Sequence, residues 1–453
     1  MKSILIIAIL AVIAAGGHPA DAQSVSGDWS GNLKLNPNTG LKLVFHIDSN
    51  GPAVEMDSPD QGVFGIKGVV DHLSEDSVAL RVPSLMMSYN GSRRDGRISG
   101  TFRQGGISLP LILEPGATKL SRPQTPVAPF PYSTEEVTID AGNGVELSGT
   151  LTVPPGARKK MPVVVMVTGS GLQNRDEELF GHKPFAVIAD YLARNGIASL
   201  RYDDRGFGKS KGDVASATSA DFAADARAVA GWLRANGGFG SVGLLGHSEG
   251  GSIGFILGAQ QGVLDFLVSI AGPAVRGDSI LVCQNMNNLA KSGITGPIAD
   301  RFETALRKTF RLKIEQPELR MTDELLDEIY PTWNESAITR KLADGLRGFT
   351  DNSNPWMSYF IAYSPAADLA AISVPALLIY GEKDMQVPCR LNADAASKSA
   401  PGVAVKEYKG LNHLMQHATT GNVEEYAAIE ETISEEVLAD IVAFIKALPA
   451  VTR

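Results

Sequence analysis

The sequence predicts two folded parts: a small all-β domain, then an α/β domain built on a mostly parallel sheet. Residues 24–114 hold short runs of alternating apolar and polar residues, separated by turn-forming Asn, Gly and Pro. From about residue 134, short apolar strands alternate with stretches of helical length, which is typical of a parallel sheet covered on both faces. We place the two domains at residues 23–118 and 134–453.

Six short runs are the strands that we predict for the β domain. They are residues 29–35, 41–47, 65–70, 77–82, 96–102 and 107–113. Asn90-Gly91-Ser92 is one of the turn signals between them. Their spacing favours a small barrel or a sandwich. Trp29 is either a platform for a carbohydrate or a core residue, and a single Trp in an alternating strand is more typical of a core.

Two interruptions divide the rest of the chain. Pro123, Pro126, Pro129 and Pro131 predict an extended connector, which we place at residues 119–133. Residues from about 276 to 358 break the alternation of strands and helices and are mostly helical in pattern. We therefore expect a helical cap, inserted above the sheet.

The N-terminus has the pattern of a secretory signal peptide. A lysine precedes an apolar run at residues 4–15, and residues 20–22 (Ala-Asp-Ala) form a small-x-small cleavage site. The alternative, an uncleaved anchor, is disfavoured because this run is too short to span a bilayer. We expect a signal peptide at residues 1–22, cleavage near Ala22/Gln23, export to the periplasm or the medium, and no membrane span.

Composition and charge limit the partners. Hydrophobic residues make up 44% of the chain, enough for a sizeable core, and the net charge is −9. An acidic surface disfavours nucleic acid and anionic lipid as partners. Cys283 and Cys389 are too few for a disulfide framework, and their spacing leaves open whether they pair. The oligomeric state stays open too.

The clearest chemical signal is at residues 246–250, Gly-His-Ser-Glu-Gly, which fit the pattern G-x-S-x-G. They follow a strand predicted at residues 242–245 and open a helix rich in small residues. In this setting the pattern is a nucleophile elbow, a sharp turn that lifts a serine above the sheet of an α/β-hydrolase fold. We predict Ser248 as the nucleophile, with Gly246 and Gly250 giving the turn its room. The alternative is a glycine-rich turn with an incidental serine.

A serine hydroxyl needs a general base to take its proton. In this fold the base is a histidine after the last strand, in the chain order serine, acid, histidine. His413 follows the strand that ends at Tyr408, and His247, inside the elbow, is expected to point away from Ser248. His417 adds an i, i+4 metal-ligand spacing, but no acidic residue lies between the two histidines to act as a metalloprotease base. We expect no metal.

The acid should follow the preceding strand, predicted at residues 376–380. Asp384 is the candidate and Glu382 the second choice. The acid holds the imidazole in one tautomer and stabilises the imidazolium that forms during the reaction. The alternative for Asp384 is a carboxylate that caps a turn or a helix.

Acyl transfer also needs N–H donors for the developing oxyanion. One donor should be the backbone N–H of Glu249, the residue after the nucleophile. The other should come from the glycine-rich loop at residues 168–172, where Ser170 is the first choice and Gly171 the second.

A second glycine-rich segment resembles a phosphate-binding motif only in part. Residues 206–210, Gly-Phe-Gly-Lys-Ser, resemble the end of a phosphate-binding loop, but Asp203 stands where that loop requires its first glycine. We therefore expect no nucleotide and no other cofactor. Asp203, Asp204 and Arg205 are expected to hold this loop by salt bridges.

Five segments together resemble a known family: residues 168–177 (TGSGLQNRDE), 182–185 (HKPF), 201–206 (RYDDRG), 246–251 (GHSEGG) and 411–414 (LNHL). They resemble bacterial α/β-hydrolase carboxylesterases, many of which carry an N-terminal β domain after a signal peptide. The resemblance is strong from about Tyr132 to the C-terminus and looser over the β domain. This chain departs from the family at Leu172, where proline is more usual, and at Asn174, where aspartate is.

The resemblance implies the triad Ser248, Asp384 and His413, and hydrolysis of small esters with short- to medium-chain acyl groups. A peptidase or amidase of the same fold, or a binding protein that kept the fold, are the alternatives. Met286, Trp356, Met357 and Phe360 either line an acyl pocket or form the core of the cap.

Overall fold

The computed structural model describes residues 25–36, 39–48, 53–59, 63–116, 121–156 and 158–449. The signal peptide and cleavage site expected near Ala22/Gln23 lie outside these residues. The chain divides into two compact units, with the boundary in the sequence after Lys119.

The first unit is a closed antiparallel barrel. Its strands are β1 (Gly27–Asn36), β2 (Thr39–Ile47), β3 (Ala53–Ser58), β4 (Val63–Leu73), β5 (Ser77–Val82), β6 (Met87–Arg94), β7 (Arg97–Gln104) and β8 (Ile107–Pro115). Each strand pairs with the next, and β1 closes the barrel against β8 at Trp29 and Ser30. Trp29 is 2% exposed and donates its indole N–H to the Val25 carbonyl at 2.7 Å, so it is a core residue.

Two strands of the barrel are absent from the sequence prediction. In β3, buried Val54 and Met56 alternate with more exposed residues, in a run too short to stand out. In β6, Asn90-Gly91-Ser92 was predicted as a turn, and that prediction is wrong. A side chain at Gly91 would lie 2.7 Å from the Tyr89 hydroxyl, so this glycine makes room for a buried aromatic ring within a strand.

The second unit is built on one mixed sheet. Its strands are β9 (Ser133–Gly142), β10 (Val145–Val153), β11 (Pro162–Val167), β12 (Ala198–Tyr202), β13 (Ser241–His247), β14 (Phe266–Ile270), β15 (Ala376–Gly381) and β16 (Ala404–Tyr408). The order across the sheet is β16-β15-β14-β13-β11-β12-β10-β9. β10 is antiparallel to β9 and β12, and the other neighbours are parallel. The carboxyl ends of β13, β15 and β16 therefore share one edge of the sheet.

Helices cover both faces and form the predicted insertion. They are α1 (Pro184–Arg194), α2 (Ser219–Trp232), α3 (Glu249–Gly258), α4 (Gly277–Lys291), α5 (Pro297–Glu315), α6 (Asp323–Ile329), α7 (Ala337–Phe349), α8 (Pro355–Ala362), α9 (Ala366–Ala371), α10 (Cys389–Ser399), α11 (Val423–Tyr426) and α12 (Glu435–Ala447). Apolar residues of α1 and α12 pack on one face of the sheet, and those of α2, α3 and α10 pack on the other. The α/β-hydrolase fold with a helical cap is confirmed.

The cap lies between β14 and β15 and has an apolar core of its own. Phe302, Leu306, Phe310 and Leu326 are among its buried residues. Cys283, in the cap, and Cys389, at the start of α10, are both free thiols. The cap is therefore held by packing rather than by a disulfide between these two residues.

The described part of the proline-rich connector is fastened to the second unit. Arg122 donates from Nη2 to the carbonyls of Phe180 at 2.7 Å and Ala427 at 2.8 Å. Within the residues that the structure describes, no helix combines the length and apolar character needed to cross a membrane.

A histidine on the barrel lies between two carboxylates. His46 contacts Asp28 through Nδ1 at 2.7 Å and Asp57 through Nε2 at 2.9 Å. Burial lowers the pKa of His46, but hydrogen bonds to the two carboxylates outweigh it, so the pKa is raised above its ordinary value. Below about pH 6.5 the ring is charged in the folded and unfolded chains alike, and the stabilisation is complete. It is lost as the pH rises through the folded-state pKa.

We expect His46→Gln to destabilise the barrel at pH 6 by less than about 1 kcal/mol, since solvent screens this partly exposed pair, and by less still at pH 9. Hydrogen exchange of the β1–β3 amides measures this difference. His72→Gln is the control, because His72 contacts the Ser77 hydroxyl and not a carboxylate. A cost of His46→Gln that grows with pH would contradict the assignment.

Candidate active site

Ser248 lies in a sharp turn between β13 and α3. Its φ of 53° is in the left-handed region, which is costly for a residue with a side chain and is typical of a nucleophile elbow. A Cβ at Gly246 would lie 2.0 Å from the Gly250 carbonyl oxygen, and one at Gly250 would lie 2.1 Å from the Val167 carbonyl oxygen. The two glycines of the motif are therefore required by backbone packing around the serine.

The predicted acid and base are in direct contact. His413, in the loop after β16, directs Nδ1 at Asp384 Oδ2 at 2.7 Å, and both side chains are at most 5% exposed. A carboxylate only accepts hydrogen bonds, so Nδ1 carries the proton and Nε2 of the neutral ring is an acceptor. This is the tautomer that a general base for a serine needs.

Backbone groups orient the acid. Asp384 Oδ1 accepts the N–H groups of Gln386 and Val387, each at 2.8 Å. The second choice of acid, Glu382, instead accepts the Gly410 N–H at 2.9 Å and so holds the loop that leads to His413. The geometry brings Asp384, and not Glu382, to the histidine.

Ser248 and His413 line one cavity of about 250 Å³ at the carboxyl edge of the sheet. Apolar residues of the cap, including Ile280, Leu281 and Phe360, form another part of its wall. Among the described residues no hydrogen bond joins the Ser248 hydroxyl to the His413 ring. Such contacts are often long before substrate binds.

The predicted oxyanion donors differ in where they lie. Glu249 is the first residue of α3, so its N–H has no partner within the helix. Ser170 lines the same cavity as Ser248, whereas Gly171 lines adjoining cavities. The N–H of Gly169 is already bonded to Glu177 Oε1 at 2.8 Å. This placement favours Ser170 over Gly171 as the donor from the loop.

Two buried carboxylates hold the loop at residues 168–173. Glu177 accepts the Gly169 N–H, as above, and Asp204 Oδ2 accepts the Gln173 N–H at 2.8 Å. Asp204 Oδ1 also accepts the Thr168 hydroxyl at 3.0 Å. The loop beside Ser248 is therefore shaped by side chains that lie outside it.

A third buried carboxylate, that of Glu249, connects the elbow to the cap. Its Oε1 accepts the Ser219 hydroxyl at 2.5 Å and the indole N–H of Trp356 at 2.8 Å. The Trp356 ring stacks on Phe360 with 5.2 Å between centroids. The cap residue Trp356 is thus fixed to the residue that follows Ser248.

The four apolar cap residues named from the sequence have different surroundings. Trp356 and Phe360 line the cavity beside Ser248. Met286, Met357 and also Phe360 pack against the core of the cap. Two of the four therefore line the cavity, three pack on the cap core, and Phe360 does both.

The remaining residues singled out from the sequence stabilise loops. Asp203 pairs with Arg175 and Arg205 pairs with Asp225, so these two residues form salt bridges as expected. The same expectation is wrong for Asp204, which instead makes the hydrogen bonds to Thr168 and Gln173 given above. His417 is exposed and contacts Glu431 at 2.9 Å, away from the His413 ring. The described residues contain no group of three or more side chains suited to hold a metal.

Sequence reasoning missed the part played by His247 and Glu177. His247 lines the cavity, and its ring centroid lies 4.7 Å from that of His413. Its Nδ1 contacts Glu177 Oε1 at 2.9 Å, and its Nε2 donates to the His413 carbonyl at 3.0 Å. One feature of the sequence could have indicated this role. Glu177, at the end of the TGSGLQNRDE segment, is an acidic residue close in sequence to the predicted oxyanion loop.

Solved structures of α/β-hydrolases resemble this one at low sequence identity. An esterase of Pyrococcus furiosus is 15% identical with a TM-score of 0.42, over 73% of this chain and 98% of that one. A proline iminopeptidase of Mycobacterium smegmatis is 18% identical with a TM-score of 0.42, over 69% of this chain and 98% of that one. These scores are too low to carry an argument about activity.

Sequence comparison is more informative. The model of the Hydrolase_4 family, described as serine aminopeptidase, S33, matches residues 183–419, just over half of the chain. Esterase EstD of Thermotoga maritima is 26% identical over 325 residues, which cover 71% of this chain and 67% of that protein. Ser248, Asp384 and His413 all lie within the residues that the family model matches.

The pKa of Asp204 is raised to about 7, chiefly by burial and further by the carboxylates of Glu177 and Glu249, although its hydrogen bonds oppose the shift. The folded chain keeps this proton up to about pH 7, whereas the unfolded chain loses it near pH 4. The contribution of Asp204 to stability is therefore complete below about pH 4 and is lost as the pH rises to about 7.

We expect Asp204→Asn, which mimics the protonated acid, to become more stable relative to the natural protein as the pH rises from 5 to 8, by roughly 1–4 kcal/mol. Urea unfolding followed by tryptophan fluorescence measures this difference. Asp203→Asn is the control: the pKa of Asp203 is lowered, because its bonds to Arg175 outweigh burial, so its effect should stay level over this range. A level difference for Asp204→Asn would refute the shift.

Proposed function

Since the chain belongs to the Hydrolase_4 (serine aminopeptidase, S33) family, and is therefore a hydrolase of the α/β-hydrolase fold, we propose that it is a serine carboxylesterase acting on small esters with short- to medium-chain acyl groups. The observation that carries the proposal is the buried His413–Asp384 pair, at 2.7 Å, in the cavity that Ser248 lines. The relationship to EstD, an esterase, supports the choice of esters.

The first half of the proposed reaction forms an acyl-enzyme. His413 Nε2 takes the hydroxyl proton of Ser248 while Ser248 Oγ bonds to the ester carbonyl carbon, and the carbonyl oxygen becomes an oxyanion. The N–H groups of Glu249 and Ser170 stabilise that oxyanion. The bond to the alcohol oxygen then breaks, and the proton held by His413 passes to the leaving alcohol.

The second half repeats these steps with water. His413 takes a proton from water, the hydroxide attacks the acyl carbon, and the Ser248 oxygen leaves with the proton that His413 returns. The Asp384 carboxylate stabilises the imidazolium across its 2.7 Å contact. The backbone N–H groups of Gln386 and Val387 keep its carboxylate in place.

A peptidase is the second candidate, and one observation favours it. Glu249 is an acidic residue among those that line the cavity, and a carboxylate suits a substrate ammonium group. The acidic residues of the cap, Glu324, Asp327 and Glu328, do not line this cavity. Asp327 accepts the Trp333 indole N–H, and Glu328 pairs with Lys308.

We expect purified protein to hydrolyse p-nitrophenyl acetate, butyrate and octanoate faster than the palmitate, and faster than amino-acid p-nitroanilides. Ser248→Ala should lower kcat about 10³-fold or more, because the nucleophile is lost. Ser252→Ala is the matched control, since this serine lies in α3, four residues after Ser248, donates to the Pro273 carbonyl and does not line the cavity.

Three outcomes of this assay decide between the candidates. Ester turnover that disappears in Ser248→Ala supports the carboxylesterase. Faster turnover of the anilides favours the peptidase. A folded protein without activity on either class contradicts both.

Export is a separate proposal, supported by the charged, apolar and small-residue order of residues 1–22. Expression of the full chain in a Gram-negative host should yield a periplasmic or secreted protein that begins near Gln23. N-terminal mass spectrometry of the fractions measures this. Cytoplasmic protein that still carries residues 1–22 would contradict the proposal.

A further inference from the structure

A second acid–histidine pair lies beside the first. The ring of His247 is buried between two oxygens, Glu177 Oε1 at 2.9 Å and the His413 carbonyl at 3.0 Å. Neither a carboxylate nor a carbonyl donates a hydrogen bond, so the ring makes both contacts by donating from both nitrogens. His247 is therefore an imidazolium paired with a carboxylate, and one of its two bonds reaches the backbone of the proposed general base.

Glu177 is held in an unusual conformation. It is 1% exposed, and its φ of 52° is in the left-handed region, which is rare for a glutamate. Its Oε1 accepts both the Gly169 N–H and the His247 N–H, and its Oε2 is buried without a partner among the residues that the structure describes. A buried charge with an unused oxygen and a strained backbone is costly to keep, which points to a role beyond stability.

We propose that Glu177 and His247 are positioning residues that hold the oxyanion loop and the base at a fixed separation; this inference rests on the proposed serine hydrolase chemistry. The connection runs from the Gly169 N–H, through Glu177 and His247, to the carbonyl of His413. Ser170 directly follows Gly169, so one end of the connection holds the loop donor. The other end holds the residue that takes the serine proton.

The separation matters because the two ends act on the same substrate group. The oxyanion donors must meet the carbonyl oxygen while the base meets the serine that attacks its carbon. A displacement of about 1 Å between such groups can cost about 100-fold in rate. The loop of residues 168–172 and the loop of His413 follow different strands, β11 and β16, which lie on opposite sides of β13, β14 and β15 in the sheet. The sheet therefore does not by itself fix the distance between the two loops, and the side-chain connection through Glu177 and His247 does.

The charges fit this reading. Burial lowers the pKa of His247, but the nearby Glu177 carboxylate and its hydrogen bond, with the His413 carbonyl, outweigh it and raise the pKa above its ordinary value. Because Glu177 balances the charge of His247, the pair places little net charge beside His413. It fixes geometry without adding an unpaired cation next to the imidazolium of the reaction.

Three substitutions separate the two bonds of His247. Glu177→Gln keeps the size of the side chain but removes its negative charge. Without that charge, His247 is no longer held as an imidazolium that donates from both ring nitrogens. His247→Asn keeps a donor at the position of Nδ1 and loses the bond to His413. His247→Gln keeps a donor near the position of Nε2 and loses the bond to Glu177.

Asp265→Asn is the matched control. Asp265 Oδ2 also accepts one backbone N–H, that of Val242 at 2.7 Å, and one cationic side chain, Arg234 at 3.1 Å. It therefore resembles Glu177 in its bonds, but Val242 lies near the start of β13, at the opposite end of the strand from His247. Its loss affects stability and leaves the site untouched.

Two kinetic readouts are compared with the thermal midpoint of each variant. One is ester hydrolysis, and the other is the saturation kinetics of Ser248 labelling by a fluorophosphonate, which needs no particular ester. For Glu177→Gln, His247→Asn and His247→Gln we expect kcat and the maximal labelling rate to fall about 10- to 100-fold, with KM and the half-saturating fluorophosphonate concentration changed less than threefold. Asp265→Asn should keep both rates within twofold.

Opposite results overturn the inference. If the folded Glu177 and His247 variants are labelled within twofold of the natural rate, the pair is structural only. If Glu177→Gln does not fold, the two His247 variants decide by the same criterion. Labelling of Ser248 in the natural protein without any ester turnover contradicts the carboxylesterase and leaves the positioning test valid.

Discussion

The second unit depends on the close backbone contact at the nucleophile elbow. A Cβ at Gly246 would collide with the backbone of Gly250, and a Cβ at Gly250 would collide with the carbonyl of Val167 at the end of β11. That contact fixes where α3 begins and so where the free N–H of Glu249 points. The left-handed backbone of Ser248 is the cost of this arrangement, and the buried strands on both sides of β13 sustain it.

Around the elbow, buried carboxylates hold neighbouring segments together by hydrogen bonds. Glu177 and Asp204 bind N–H groups of the loop after β11, Asp384 binds His413, and Glu249 binds Trp356 of the cap. Each therefore joins two segments that the sheet alone leaves independent. Buried acids of this kind stabilise little by themselves, because desolvation offsets their hydrogen bonds. Their value here is in the geometry that they specify.

The sequence predicted the α/β sheet and the cap, because these depend on local patterns. A fixed chain order also led to Asp384 and His413, which the structure places in contact, and to Ser248 in the same cavity as His413. Strand β6 was read as a turn because Asn90-Gly91 has turn chemistry, while the Tyr89 ring that requires the glycine is known only once the barrel closes. His247 and Glu177 are 70 residues apart in the chain. The sequence around either residue does not indicate that the other will be its partner, and their contact is known only from the folded structure. The choice of Ser170 over Gly171 likewise depended on which residue faces the cavity.

The position of the cap in the chain has an evolutionary consequence. The polypeptide leaves the sheet at the end of β14 and returns at β15, and these two strands are hydrogen-bonded neighbours. The helices between them form a detour with adjacent ends, so insertions, deletions or wholesale replacement there leave the pairing of β13 to β16 unchanged. Ser248 lies before the detour, and Asp384 and His413 lie after it. Mutation in the cap can therefore change the walls of the cavity while Ser248, Asp384 and His413 keep their places on the sheet.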